Sequence, residues 1–223
     1  MLKGNRLLWV VGGIGLVLIA AVLWFTIARP VVVLPRSRLA PGYTLSDSAG
    51  KTFSSEFQRG RLTLYTFAYT GCGERCQPIY NLLRELDAAL AGKALTPPLD
   101  FITISVDPAR DLPAALAGFP LPFQPAASQW FWLTGEEAWL RNVIGGGFEV
   151  AYQSQSDGSV YFDPRLVLVD GEGVIRGEYD LAQTNADQLV YHLDLLYKEI
   201  EQASGAGKFA YEAAHFFACY PRH

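Results

Sequence analysis

Short runs of apolar and β-branched residues along the middle of the chain are typical of buried β-strands. The runs lie at Leu62–Ala68 and at residues 100–106, 130–133, 165–169 and 174–179. Between them, apolar residues recur every three or four positions, which predicts amphipathic helices. These helical patterns lie at residues 77–92, 107–118, 136–143 and 185–202. Strands that alternate with helices and end in a hairpin and a closing helix predict an α/β domain.

The front of the chain has a different pattern. Residues 7–28 carry no charge, and a helix of about 22 residues would span roughly 33 Å, the thickness of a bilayer core. Trp9 and Trp24 lie near the two ends of this stretch, where tryptophan favours the membrane interface. A cleaved signal peptide would have a shorter apolar stretch. We therefore predict one transmembrane helix that anchors the chain in the membrane bilayer.

The orientation of this anchor is predicted from its short N-terminal tail. Basic residues flank the apolar stretch on both sides, so charge alone does not decide the topology. A tail of a few residues stays in the cytoplasm more easily than it crosses the membrane. We expect a single-pass protein of the cell membrane with its soluble domain on the extracytoplasmic, periplasmic side.

Composition divides the chain into four parts. Residues 1–28 form the N-terminal tail and anchor, and residues 29–42 are rich in proline and basic residues, which predicts an extended linker. Residues 43–203 contain all the predicted strands and form one domain. Residues 204–223 begin with a Ser-Gly-Ala-Gly segment and continue as an aromatic tail.

Overall charge excludes one class of partner. The 223 residues have a formal net charge of −4, and 50% of them are hydrophobic, which is enough for one domain with a substantial core. A basic excess or an arginine-rich stripe is missing, so nucleic acid is not an expected partner. No pattern in the sequence indicates a hydrolytic or transferase site.

Two cysteines supply the candidate chemistry. Cys72 and Cys76 lie between the Leu62–Ala68 strand and the first helical pattern, which places Cys76 in the first turn of that helix. Backbone N–H groups and the helix dipole favour a thiolate there. Such a pair can form a disulfide, exchange electrons with other thiols or bind a soft ion such as Cu(I). A structural disulfide without chemistry is the alternative. Cysteines at the first strand-to-helix turn of this strand order predict a thioredoxin-like fold.

Two segments resemble signatures of the Sco/SenC family. Residues 67–76 (FAYTGCGERC) resemble its Phe-x-Tyr-Thr-x-Cys-x-x-x-Cys motif, and residues 105–113 (SVDPARDLP) resemble its second signature. The resemblance covers residues 41–202 and implies a thioredoxin-like fold of the Sco type. It also implies a membrane-tethered, copper-binding protein that helps to mature the binuclear copper site of cytochrome c oxidase or reduces the cysteines of that site.

The same resemblance implies a histidine as the third copper ligand, about eight residues before Asp170. Phe162 stands at that position, and the histidines of the chain lie elsewhere, at His192, His215 and His223. A phenylalanine ring cannot bind a metal, and the neighbouring Asp163 offers oxygen, which suits Cu(I) poorly. Copper is therefore expected to bind weakly, through Cys72 and Cys76.

Three other residues carry local predictions. Pro164 resembles the cis-proline of TlpA-like and ResA-like thiol oxidoreductases, which makes a cis bond after Asp163 one alternative. Asp107 is followed by a proline and is expected to cap the next helix. His192 is expected to be solvated or interfacial.

The aromatic tail has two interpretations. His215, Cys219 and His223 recur every four residues, a spacing that would suit a metal site on a helix. Pro221 argues against a regular helix that reaches His223. We favour docking of the tail against a partner subunit or the bilayer, rather than into the domain's own core.

Two functional hypotheses follow. In the first, the chain handles copper or thiol–disulfide exchange through Cys72 and Cys76 for a heme-copper oxidase, as a copper chaperone or a thiol–disulfide oxidoreductase. In the second, it is a degenerate accessory subunit of a respiratory membrane complex, either an oxidase or alternative complex III, with a structural disulfide. The cysteine pair favours the first hypothesis, and Phe162 favours the second.

Overall fold

A computed structural model describes residues 3–28, 32–202, 209, 211, 212, 214 and 215. The α-helices are α1 (Lys3–Ala28), α2 (Gln77–Leu90), α3 (Pro113–Gly118), α4 (Glu137–Leu140) and α5 (Ala186–Glu201). The strands are β1 (Thr44–Asp47), β2 (Thr52–Ser54), β3 (Leu62–Ala68), β4 (Leu99–Ser105), β5 (Gln129–Thr134), β6 (Tyr152–Ser154), β7 (Val160–Phe162), β8 (Arg165–Val169) and β9 (Ile175–Asp180). The chain divides into two units, one of Arg36–Tyr197 and one of Met1–Pro35 with Lys198–His223.

A mixed seven-stranded sheet forms the centre of the larger unit, with the strand order β2-β1-β5-β4-β3-β8-β9. Strands β3, β4 and β5 are parallel, whereas β1 and β8 pair antiparallel with β5 and β3. Every residue of β3 and β4 is buried, as expected for central strands covered on both faces. Strands β8 and β9 form the predicted hairpin. The predicted α/β class is confirmed.

Helix α2 follows the cysteine segment and is amphipathic, as its pattern predicts. Pro78 lies in its first turn, where no backbone N–H is needed for the helix. Cys76 is the N-cap of α2, one residue before the predicted position in the first turn. The predicted apolar face is buried, at Ile79, Leu82, Leu83, Leu86 and Leu90.

The helix predicted at residues 107–118 is shorter than expected. The Asp107 carbonyl accepts hydrogen bonds from the N–H groups of Arg110 and Asp111, at 3.2 and 2.9 Å, which makes a single turn. The chain is then extended at Leu112, and α3 begins at Pro113, whose missing N–H costs nothing at the first helical position. The prediction that Asp107 caps the following helix is therefore wrong.

Two other local predictions differ from the structure. The helix predicted at residues 136–143 consists of the short α-helix α4 and a π-helix that follows it at Arg141–Gly147. Within the described residues, the only cis peptide bond joins Thr96 and Pro97. The bond between Asp163 and Pro164 is therefore trans, and the cis alternative is wrong.

Part of the predicted linker pairs with the edge of the sheet. The Ser37 N–H donates to the Ile175 carbonyl at 2.9 Å, and the Ile175 N–H donates to the Arg38 carbonyl at 2.8 Å. The Ala40 N–H donates to the Gly173 carbonyl at 2.8 Å. The second half of the linker satisfies backbone groups at the edge strand β9 that would otherwise be unpaired.

Helix α1 lies in the smaller unit and covers the apolar stretch near the N-terminus. Its side chains are described for residues 9–24, and the large apolar ones are exposed, with Trp9 at 80% and Trp24 at 63%. Among the helices of the described residues, none combines the length and the mean hydropathy that a membrane span requires. The structure therefore does not confirm the predicted transmembrane anchor.

The described residues of the tail also lie in the smaller unit. Tyr211 and Ala214 are buried and form an apolar cluster with Val33. His215 Nε2 lies 3.0 Å from Glu199 Oε1. These contacts are made within the chain, and docking of the tail against a partner subunit or the bilayer stays a prediction. Cys219 and His223, and the Ser-Gly-Ala-Gly segment before the tail, lie outside the described residues.

Candidate functional site

The cysteine loop, Thr70–Cys76, is a short 3-10 helix that starts where the central strand β3 ends. Its path bends at Gly73, whose φ of 54° and ψ of −130° are accessible to glycine but not to most other residues. This bend brings the two cysteines together in a disulfide, with their Cα atoms 5.8 Å apart. The exposed fractions of Cys72 and Cys76 are only 4% and 0%.

Asp111 fastens the cysteine loop to the end of β4. Its carboxylate accepts hydrogen bonds from the Thr70 N–H at 3.1 Å, the Thr70 hydroxyl and the Ser105 hydroxyl at 2.6 Å. The residue is completely buried. A buried carboxylate needs such donors to offset its lost hydration. Asp111 was not predicted to be a site residue, although it is the second aspartate of the SVDPARDLP segment.

Tyr69 connects this loop to its surroundings. Its buried hydroxyl accepts hydrogen bonds from Arg75 Nη2 at 2.6 Å and from the Val160 N–H at 3.3 Å. The guanidinium of Arg110 lies 5.6 Å from the centre of the Tyr69 ring and donates to the Gly158 carbonyl at 2.5 Å. Tyr69 and Arg110 thus join the cysteine loop to the β6–β7 hairpin.

The β6–β7 hairpin, residues 152–162, presents an aromatic ring to Tyr69, the residue before the cysteine loop. Phe162 is 8% exposed and packs edge-on against Tyr69, with 6.2 Å between ring centres. The neighbouring Asp163 carboxylate is paired with Arg165, at 2.7 Å. Across the described residues, no three His, Cys, Asp or Glu side chains form a group that could hold a metal ion. Phe162 therefore contributes ring packing to the site.

Tyr80 is a second site residue that the sequence analysis missed. It lies in the first turns of α2, and its hydroxyl is 3.6 Å from Cys72 Sγ. Burial is the main cause that raises the pKa of Tyr80, and the negative charge of Asp111 raises it further. The hydroxyl is therefore protonated at neutral pH. The spacing of four residues between Cys76 and Tyr80 is the signal in the sequence that could have found it.

His192 and His215, the histidines that the structure describes, contact other residues. His192 is buried, and its Nδ1 is 2.8 Å from the Tyr179 hydroxyl, so the prediction of a solvated or interfacial side chain is wrong. Burial lowers the pKa of His192. His215 contacts Glu199, and its two predicted companions in a metal site are outside the described residues.

Comparison with known proteins shows the family to which the chain belongs. The SCO1/SenC family model matches residues 33–197. The chain belongs to the SCO1/SenC family. A Stutzerimonas stutzeri protein named for copper binding is 31% identical over 150 residues, which cover 66% of this chain and 72% of that protein. The alignment with a SCO2-like protein of Rickettsia conorii, also 31% identical, spans about half of each chain, 52% and 53%.

Solved structures show the same Sco fold. A SCO1/SenC lipoprotein of Bacillus anthracis matches with a TM-score of 0.66 at 22% identity, over 73% of this chain and 97% of that protein. BsSco, described as a cytochrome c oxidase assembly protein with a disulfide switch, matches with a TM-score of 0.61 at 23% identity. That alignment covers 73% of this chain and 95% of BsSco. The predicted thioredoxin-like fold of the Sco type is confirmed.

Proposed function

We propose that the chain is a membrane-anchored Sco protein that exchanges electrons with partner thiols through Cys72 and Cys76, in the assembly of a heme-copper oxidase. The observation that carries this proposal is the disulfide at the end of the central strand, in a loop held by Asp111. The description of BsSco as an oxidase assembly protein with a disulfide switch supports the same class of chemistry.

Exchange begins at Cys72, because this residue is 4% exposed and Cys76 is fully buried. The thiolate of a partner dithiol attacks Cys72 Sγ, the disulfide bond breaks, and Cys76 leaves as a thiolate. The second partner thiol then attacks the mixed disulfide, and Cys72 leaves as a thiolate. The partner becomes a disulfide, and two electrons have passed to Cys72 and Cys76. The reverse steps reduce the oxidised cysteines of a target.

Copper is a second cargo that the reduced pair can carry. Two thiolates suit Cu(I), whereas Cu(II) favours additional nitrogen ligands. Phe162 offers no donor atom, and the Asp163 carboxylate is engaged by Arg165. The residues present therefore do not fit a three-ligand Cu(II) site, and we assign electron exchange as the main activity.

The proposed location is the extracytoplasmic face of the cell membrane, with α1 as the single anchor. Exposed apolar side chains on α1, including Trp9 and Trp24, support contact with lipid, and disulfides persist in oxidising compartments. The expected partners are the bilayer and subunits of a respiratory complex. A cysteine introduced at Ser48 should react with a membrane-impermeant reagent in intact cells. If this cysteine is protected in intact cells and labelled in inverted vesicles, the domain faces the cytoplasm and the proposed topology is wrong.

Reduction of the folded protein tests the main activity. We would equilibrate the full-length Cys219→Ser variant, which keeps only the proposed pair, with dithiothreitol buffers at fixed pH and count alkylated thiols. We expect a reversible two-electron transition while circular dichroism still reports a folded domain. Variants with Cys72→Ser or Cys76→Ser should lose that transition.

A second candidate function is a non-catalytic accessory subunit of an oxidase or of alternative complex III. The near-complete burial of both cysteines favours it, since a structural disulfide needs no access to partners. In that case the disulfide would be reduced only after the protein unfolds, which would contradict electron exchange.

A further inference from the structure

Tyr80 directs a hydrogen-bonding group at one of the two cysteine sulfurs. It lies four residues after Cys76 on α2, and helical side chains point back toward the N-terminus of their helix. Its hydroxyl therefore reaches the cysteine loop, where it lies 3.6 Å from Cys72 Sγ. This distance suits a hydrogen bond to the large sulfur atom.

The surroundings of Tyr80 leave Cys72 as the partner of its hydroxyl. The side chain is 3% exposed, and its ring packs against Trp130 with 6.1 Å between ring centres. Asp111 is the nearby acidic group, but its carboxylate is already engaged by Thr70 and Ser105. In the part of the chain that the structure describes, the Cys72 sulfur is the only hydrogen-bond partner of the Tyr80 hydroxyl.

We propose that the Tyr80 hydroxyl donates a hydrogen bond to Cys72 Sγ that is stronger in the reduced pair than in the disulfide, and so shifts the equilibrium toward the dithiol. A thiolate sulfur carries a negative charge and accepts strongly, whereas a disulfide sulfur is a weak acceptor. The same bond stabilises Cys72 as the leaving thiolate when the mixed disulfide is resolved. Tyr80 keeps its proton throughout, and the partner dithiol supplies both electrons. This inference rests on the proposed electron exchange.

The test compares Tyr80→Phe with the unmodified residue in the full-length Cys219→Ser background. Phenylalanine keeps the ring that packs against Trp130 and removes only the hydroxyl. We expect the equilibrium constant for reduction by dithiothreitol to fall about tenfold, which corresponds to roughly 30 mV for a two-electron couple. The thermal unfolding of the oxidised protein should change little.

Tyr65→Phe is the matched control. Tyr65 is also buried, but its hydroxyl pairs with the Tyr43 hydroxyl at 3.1 Å, away from the cysteines. This variant should leave the reduction equilibrium unchanged. If Tyr80→Phe does not fold, 3-fluorotyrosine at position 80 keeps the side-chain shape and is a stronger donor, so it should favour the reduced pair.

The outcomes separate this inference from the function on which it rests. A disulfide that cannot be reduced in the folded, otherwise unmodified protein would overturn the proposed exchange and the role of Tyr80 with it. A reducible disulfide whose equilibrium changes by less than about twofold in Tyr80→Phe would overturn the role of Tyr80 alone. An equal shift in Tyr65→Phe would also overturn it, because the effect would then follow from any lost buried hydroxyl.

Discussion

The cysteine loop and the β6–β7 hairpin face each other across the candidate site, but different interactions hold them. The loop is fixed by charge-assisted hydrogen bonds from Thr70 and Ser105 to the buried Asp111 carboxylate. The hairpin is held by the packing of Phe162 on Tyr69, by the Val160 N–H that donates to the Tyr69 hydroxyl, and by the Arg110 guanidinium, which donates to the Gly158 carbonyl. One side of the site therefore positions the two sulfur atoms, and the other side packs an aromatic ring against Tyr69.

This difference separates two properties that the Sco resemblance implies together. The geometry that places two sulfurs at the end of β3 is present, with its supporting carboxylate. The position implied for a nitrogen ligand holds an aromatic ring that contributes to packing. A site of this kind has the two sulfur atoms that the proposed thiol exchange needs and lacks the nitrogen donor that would hold Cu(II).

The largest expected effect comes from the loop side. Asp111→Ala should lower the free energy of unfolding by about 3 kcal/mol, because it leaves buried donors of Thr70 and Ser105 without an acceptor. Reduction of the disulfide by dithiothreitol should also become faster, since the loop opens more easily. Denaturant unfolding and the rate of thiol alkylation measure the two effects.

Asp87→Ala is the control for Asp111→Ala. Asp87 is also buried and accepts hydrogen bonds from the N–H groups of Ala126 and Ala127, at 2.7 and 3.0 Å. This variant should lose a similar amount of stability without faster reduction of the disulfide. If disulfide reduction becomes faster by the same factor in both variants, Asp111 acts only through the overall stability of the domain and does not specifically fix the cysteine loop.

A smaller effect is expected at Tyr69, which contacts both sides. Tyr69→Phe keeps the ring against Phe162 but removes the acceptor for the Val160 N–H, at a cost of about 1 kcal/mol. Amide hydrogen exchange at Val160 should become faster. Tyr161→Phe is the control, because Tyr161 is 60% exposed on the same hairpin. Unchanged protection of Val160 in Tyr69→Phe would mean that this hydrogen bond does not hold the hairpin.

The sequence was sufficient to predict the parts of the fold that depend on local patterns. The apolar runs predict β3, β4 and β8, and the spacing of Ile79 to Leu90 predicts α2, because central strands and amphipathic helices each have a distinct period. The paired cysteines with three residues between them also locate the site. Only the family resemblance singled out Phe162, which in the structure packs against Tyr69, the residue before the cysteine loop.

The missed features depend on contacts between distant segments. Asp111 reaches Thr70 because β3 and β4 are parallel neighbours, so that their carboxyl ends meet at one edge of the sheet. His192 is buried because Tyr179 of β9 faces it, which the pattern of α5 alone does not reveal. Helix α3 starts only at Pro113, because the chain first makes a separate turn after Asp107. The sequence suits both this turn and a continuous helix, so it does not decide between them.

Copper binding by Phe162→His tests the central claim most directly, that the site keeps its sulfurs but lacks a nitrogen ligand. We would add one equivalent of Cu(II) to the reduced full-length protein and record EPR spectra of the unmodified chain, of Phe162→His and of Tyr161→His. Tyr161 precedes Phe162 on β7, and its side chain points to the opposite face, which makes it the matched control.

We predict stable Cu(II) with nitrogen hyperfine coupling for Phe162→His, and little bound Cu(II) for the unmodified chain and for Tyr161→His. Stoichiometric Cu(II) with nitrogen coupling in the unmodified chain would contradict the account, because another residue would then supply the ligand that Phe162 cannot.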